Sequence, residues 1–295
     1  MCKMARIPLL GAFMVLASLA SLATHAATPT YSALIVFGDS YCDVGNLFAA
    51  TGGFEPAPPY YNGRFSNGPL WVDHVAGFLG VPLKPSIVPG GTDYAVGGAW
   101  ATAPVVTAAG TLPDVTQQVG LYLANVKGKA DPNALYILEG GGNDILDAPT
   151  GDPGVLGFKI AAALAYSELL LRQAGARHFI IPDLFNVGLL PAASGRVTFA
   201  AQASNAANSS LNLLLAVEDQ LEGVHILRMN VFNLLNAIQT DPTHFGFTNV
   251  TVPCLTTSVC ADPDHTFFWD THHPTEFGHA FFAVTLENAL SNSVH

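Results

Sequence analysis

Five short apolar runs, three of them stopped by glycine, constrain this chain most. Tyr31–Phe37 ends at Gly38, Asp93–Val96 ends at Gly97-Gly98, and Ala134–Leu138 runs up to Glu139 and Gly140-Gly141-Gly142. His178–Ile181 and Val224–Leu227 are the other two. Such short runs suit strands buried on both faces. Between them, apolar residues recur at helical spacing. Pro69–Leu79 carries Leu70, Val72, Val75, Ala76 and Leu79. Leu156–Ala174 is followed by the helix-stopping Gly175, Gln202–Leu221 carries four leucines on a helical pattern, and Thr275–Leu290 closes the chain. Strands alternating with helices predict an α/β fold, a mostly parallel sheet covered on both faces. Sites in such sheets form beyond the carboxyl ends of the strands, where the glycines lie.

The rest of the chain fits one such sheet. Among 295 residues 50% are hydrophobic and 11% charged, which excludes intrinsic disorder. Eleven Lys and Arg face 22 Asp and Glu, so no basic footprint for nucleic acid exists. Lys3 and Arg6 precede an uncharged, mostly apolar stretch, Ile7–Ala23, and then Thr24-His25-Ala26. This is the layout of a secretory signal peptide, predicted over residues 1–26. Its removal takes away two bases and no acid, moving the net charge from -11 to -13. Export places the chain outside the cell or in a periplasm. No later stretch reaches about 18 uninterrupted apolar residues, so no internal membrane span is expected. No C-terminal membrane barrel is expected after residue 290. With no repeat and no linker, residues 27–295 read as a single domain, with excursions near 41–67 and 240–266. Cys254 and Cys260 frame five residues and suit a small disulfide loop; Cys42 is then a small buried hydrophobe. No CxxC pair supports a zinc ribbon.

Four segments carry chemistry, each with a plainer alternative. Ser40, in Gly38-Asp39-Ser40-Tyr41, directly follows the first run. It could present a nucleophile at the sheet edge or simply cap a turn. The Gly-x-Ser-x-Gly elbow is absent, because Cys42 breaks it. Asp270 and His273 are three residues apart, ahead of a helix opened by Pro274 and Thr275. A turn of that length can bring the carboxylate to one imidazole nitrogen and free the other to take a proton from serine. The alternative is a capping Asp beside a surface His. Asn143 follows three glycines at a strand end and could donate to an oxyanion; it could also be a turn residue. The Gly97-Gly98 pair could supply a backbone donor or serve only a tight turn.

In order, these segments resemble the GDSL, or SGNH, hydrolases, a family of secreted lipase-like acylhydrolases. Residues 35–46, Ile-Val-Phe-Gly-Asp-Ser-Tyr-Cys-Asp-Val-Gly-Asn, are similar to the family's F-G-D-S-L-S-D-x-G-N. Asn62–Gly68 with Trp71 looks like N-G-R-F-S-N-G-x-x-W, and Asp93–Ala99 is similar to N-Y-A-x-G-G-A. Gly141–Asp144 matches G-x-N-D, and Trp269–Thr275 matches W-D-x-x-H-P-T. Tyr41, Cys42 and Asp93 depart from the usual residues, at positions the chemistry does not require.

The resemblance implies a three-layer α/β/α, flavodoxin-like parallel sheet of about five strands. It implies Ser40 as nucleophile, His273 as general base and acid, and Asp270 as its orienting carboxylate. The oxyanion donors would be the N–H of Ser40, the N–H of Gly98 (with Gly97 adjacent) and the side chain of Asn143. Asp39 and Asp144 would be supporting turn residues. The reaction implied is carboxylic ester hydrolysis through an acyl-enzyme, with no cofactor, by a monomer acting on a small-molecule or lipid ester.

Other readings compete. His265, Asp270, His272, His273 and His279 crowd together as a metal site would, but lack a standard ligand spacing, so no metal is expected. A carbohydrate O-acetyl esterase is the alternative within esterases, and a non-catalytic secreted binding protein is the alternative outside them. Asn208-Ser209-Ser210 and Asn249-Val250-Thr251 are glycosylation sequons, relevant only in a eukaryotic secretory host.

Overall fold

The computed structural model describes residues 30–108, 110–148, 151–217 and 220–292. The expected leader over residues 1–26 lies outside these. The described chain runs β1 (Leu34–Phe37), α1 (Asn46–Ala50), α2 (Trp71–Leu79), β2 (Val105–Thr107), β3 (Gly110–Leu112), α3 (Val115–Asn125), β4 (Leu135–Leu138), α4 (Gly142–Asp147), α5 (Pro153–Ala174), β5 (His178–Ile180), α6 (Val197–Leu215), β6 (His225–Leu227), α7 (Val231–Thr240) and α8 (Glu276–Asn292).

Four strands form a parallel sheet in the order β1-β4-β5-β6. Phe37 lies opposite Leu138, and Leu135 opposite His178. Every residue of β1 and β4 is buried, as their unbroken apolar runs predict. The run at Asp93–Val96, expected as a fifth strand, makes only isolated parallel bridges, from Asp93 to Val36 and to Pro85. It still lies along the free side of β1. Val36 N–H donates to Thr92 O, Tyr94 N–H to Val36 O, and Val96 N–H to Gly38 O, at 2.7–3.1 Å. The Gly38 N–H, next in line on β1, donates instead to the Gln118 side chain at 2.9 Å, and the pairing stops there. Counting this segment, the spatial order is the doubly wound one, with β1 at the interior switch point.

Helices flank the sheet. α2 packs on α8, while α5 packs on α6 and α3. α5 starts at Asp152, whose side chain accepts Val155 N–H, followed by Pro153; it stops at Gly175 with φ 120°. By length and composition alone α5 could cross a membrane, with mean hydropathy 1.5. In the fold, its Ile160, Ala161, Leu164 and Leu171 are buried. Gly157 lets α5 and α6 touch: a Cβ there would lie 2.6 Å from Ala207 N. α6 begins and ends about six residues before the spacing predicts, leaving Leu221 40% exposed. α3, with its Asp114–Gln117 capping box, α7, capped by Asn230, and the β2–β3 hairpin are elements beyond those named from the sequence.

The excursion between α7 and α8 braces the loop next to it. Cys254 and Cys260 are joined by a disulfide, and Cys42 is free and buried. Cys254 N–H donates to Phe268 O, and Leu255 N–H to Trp269 O, which holds the segment leading into Asp270. Asn208 is buried, and its side chain bonds both the N–H and the C=O of Leu184, so this sequon is part of the fold.

His279 on α8 is fully buried between the rings of Tyr41 and Phe282. Burial first, then the nearby His273 and His74, push its pKa from 6.5 down to about 3. An unfolded chain therefore binds this proton below 6.5 while the folded one does not, and stability falls as pH drops through that window. His279→Leu is expected to flatten urea-unfolding stability against pH there by up to about 1.4 kcal/mol per pH unit. A variant with the wild-type slope would contradict this.

Candidate active site

Ser40 sits in the tight turn beyond β1. Cys42 N–H and Asp43 N–H both donate to Asp39 O at 3.0 Å, and Tyr41 N–H donates to Asp39 Oδ1 at 3.0 Å. These bonds close the turn and aim the serine into the crevice. His273 arrives from the segment before α8. Its Nε2 lies 2.8 Å from Ser40 Oγ, and its Nδ1 lies 2.7 Å from Asp270 Oδ2 and 2.9 Å from Oδ1. An ionised carboxylate only accepts, so Nδ1 carries the proton and Nε2 accepts from the serine hydroxyl. Three residues that are ambiguous in sequence thus form one relay.

Asp270 is held as an anion. Burial alone would raise its pKa, but the facing His273, the Tyr60 hydroxyl at 2.7 Å and the backbone N–H of His272 hold it well below the usual carboxylate range. Nothing in the sequence marks Tyr60, which reaches Asp270 from 210 residues away. The Phe65 ring lies 5.1 Å from that of His273, and Tyr41 OH donates to His272 O at 2.7 Å. The His272 ring instead pairs with Thr271 Oγ1, away from Ser40, in line with the D-x-x-H spacing.

The two glycines behave differently. Gly97 N–H donates to Asp43 Oδ2 at 2.8 Å. Gly98, at φ 78°, adopts a backbone conformation that favours glycine and lines the cleft over Ser40. Asn143 Nδ2 donates to Ala99 O at 3.0 Å and, at a longer 3.3 Å, to Asp39 Oδ2. Asp144 supports this corner by accepting the N–H groups of Ala101 and Thr102. The cleft has a volume of about 540 Å³, and Leu47, Val105, Leu112, Glu55, Asp147 and His272 are among the residues that line it.

Behind Ser40, Glu139 and Asp39 form a buried carboxyl pair. Asp39 N–H donates to Glu139 Oε2 at 3.3 Å. Burial, and then the adjacent Asp39, push the Glu139 carboxyl well above its ordinary range; Asp39 rises to about 6, chiefly through burial. The Cys42 thiol, pushed up by burial and these acids, stays protonated and points at Glu139 Oε2 at 3.7 Å.

A serine–histidine–aspartate relay at the strand ends of a doubly wound sheet defines a hydrolase-type site. Residues 34–285 match the GDSL-like lipase/acylhydrolase family, and the chain belongs to it. It is 31% identical, over 98% of its length, to an "Uncharacterized protein in trpE-trpG intergenic region" of Pseudomonas putida, covering 53% of that protein. It is also 31% identical to Esterase EstA of Pseudomonas aeruginosa, over 99% of this chain and 51% of that one. The chain thus spans about half the length of these two relatives. A lipase/acylhydrolase from Enterococcus faecalis superposes with TM-score 0.47 at 10% identity, over 88% of this chain and 95% of that one.

Asp43 is the tie on which this geometry rests. It accepts the N–H groups of Gly45, Asn46, Leu47 and Gly97 while fully buried. Asp43→Asn turns an amide N–H₂ toward two of these donors. It is expected to destabilise the fold by about 3 kcal/mol in urea unfolding. A loss under about 1 kcal/mol would show that the carboxylate is not the tie.

Proposed function

We propose that this chain is an exported serine esterase whose residues 27–295 work as one catalytic unit after the leader over residues 1–26 is removed. The observation that carries the reading is the relay from Ser40 Oγ through His273 to Asp270, at 2.8 and 2.7 Å. His273 Nε2 takes the serine proton as Oγ attacks the ester carbonyl. Asp270 stabilises the imidazolium that forms, and its carboxylate is already ionised. His273 then gives its proton to the leaving alcohol, which departs and leaves an acyl-enzyme. A water, deprotonated by His273, attacks the acyl carbon; the acid leaves and the proton returns to Ser40.

The oxyanion of both tetrahedral intermediates is received by the N–H of Ser40, the N–H of Gly98 and the Asn143 side chain. Gly98 is assigned rather than Gly97 because the Gly97 N–H is engaged by Asp43. For Asn143, the long bond to Asp39 is the one exchanged for the oxyanion. Family membership and the esterase name of a relative support ester-bond hydrolysis. The disulfide supports an oxidising compartment.

Ser40→Ala is expected to abolish p-nitrophenyl butyrate hydrolysis with an unchanged melting curve, and Asn143→Ala to lower kcat by roughly 10²–10³. A serine-reactive phosphonate should label the wild type and not Ser40→Ala. Full activity in a cleanly purified Ser40→Ala protein, or no labelling of the wild type, would sink the reading and leave a binding protein on this scaffold.

A further inference from the structure

The cleft over Ser40 does not stop at its apolar wall. Beyond Leu47 and Leu112 lies a second hollow of about 350 Å³, and these two leucines line both spaces. The hollow is enclosed by α1, α3, the β2–β3 hairpin and the strand-like segment beside β1, with Ile87, Tyr94, Val96 and Leu121 among its walls. The same leucines flank the glycine pair. A Cβ on Gly97 would lie 3.1 Å from Leu47 Cδ2, and one on Gly98 would lie 3.2 Å from Leu112 Cδ1. The boundary shared by the two spaces therefore lies beside the proposed oxyanion donor.

We infer that the acyl half of the ester runs between Leu47 and Leu112 into this second hollow, so that the site selects unbranched fatty-acyl esters of medium length with a polar alcohol. The inference deepens the esterase reading and rests on it. The tetrahedral carbon carries Ser40 Oγ, the oxyanion, the acyl chain and the leaving oxygen. To be protonated, the leaving oxygen must stand at His273 Nε2, which puts the alcohol on the side of His272. The acyl chain takes the remaining direction, along the glycines and leucines.

The two spaces differ in chemistry in the way such a substrate requires. The first has Glu55, Asp147 and His272 at its edge, which suits a polar alcohol. The second has no charged side chain among the described residues that line it. Several of its polar groups are also engaged with one another or with the backbone. Asn125 Nδ2 donates to Tyr94 OH at 3.0 Å, Ser86 Oγ and Ile87 N–H donate to Asn46 Oδ1 at 3.2 and 3.3 Å, and Thr51 Oγ1 donates to Leu47 O at 2.8 Å. A sugar would find few free partners there, whereas a methylene chain needs none. An acetyl group would leave the hollow unused.

The test is chain-length selectivity with the hollow open and plugged. Each methylene buried is worth about 0.8 kcal/mol, roughly fourfold in kcat/KM. In the wild type, kcat/KM for p-nitrophenyl decanoate should exceed that for the acetate by at least about tenfold. Thr111→Trp on the hairpin and Leu121→Trp on α3 plug the hollow from two separate elements. Both positions are exposed, Leu121 by 54%, so the fold should tolerate them. Each should lower decanoate turnover about tenfold or more and leave butyrate turnover within about twofold. A wild type that prefers acetate overturns the inference, as do plugged variants in which decanoate is unaffected or falls in step with butyrate. If the wild type cleaves none of these esters and the phosphonate leaves Ser40 unlabelled, the esterase reading itself fails and takes this inference with it.

Discussion

Buried carboxylates accepting backbone N–H groups hold the strand-end loops together, and the site depends on them. Asp43 gathers the N–H groups of its own turn and that of Gly97 across the crevice. Asp93 returns the link by accepting Val44 N–H, and Asp144 ties the start of α4 to Ala101 and Thr102. Burial pushes all three upward in pKa, and the N–H bonds pull them back. Loops without regular secondary structure still need partners for their buried backbone groups. Here those partners are side chains, and each also fixes one loop against another.

The proton relay is placed by two such loops whose own anchors differ. The serine turn is closed locally by Asp39 O. The His273 segment is closed by Asp270 Oδ1, which accepts the N–H groups of His272 and His273, and is also held from outside, by Ser66 Oγ on Pro274 O, by Tyr41 OH on His272 O and by the disulfide loop on Phe268 and Trp269. Rigid anchoring of this kind is what lets a serine and an imidazole remain within bonding distance without substrate.

Much of this is legible in the sequence, for physical reasons that also mark where legibility ends. Ser40, Asn143 and the Gly97-Gly98 pair follow apolar runs directly, so periodicity alone puts them at one edge of the sheet. Asp270 and His273 are close enough in sequence for local geometry to pair them. Tyr60 is invisible there, because its bond to Asp270 spans a loop with no periodic signal. The choice between Gly97 and Gly98 likewise hangs on Asp43, whose carboxylate could have faced either. The fifth strand dwindles to isolated bridges as the Gln118 side chain takes the Gly38 N–H, a distant partner that an apolar count does not register. The hairpin escapes the pattern because its few apolar residues are mostly exposed, whereas α3 does bury Val115, Val119 and Tyr122 at helical spacing, a signal that was there to be read.

The β2–β3 hairpin stands outside the parallel sheet and contributes no member of the relay. It meets the site through side chains such as Val105 and Leu112. On the proposed reading, bond-breaking and molecular discrimination are carried by separate stretches of polypeptide. The hairpin can be exchanged, lengthened or recoloured by drift while the proton path stays where β1 and the segment before α8 put it. A scaffold partitioned in this way can change its diet without relearning its chemistry.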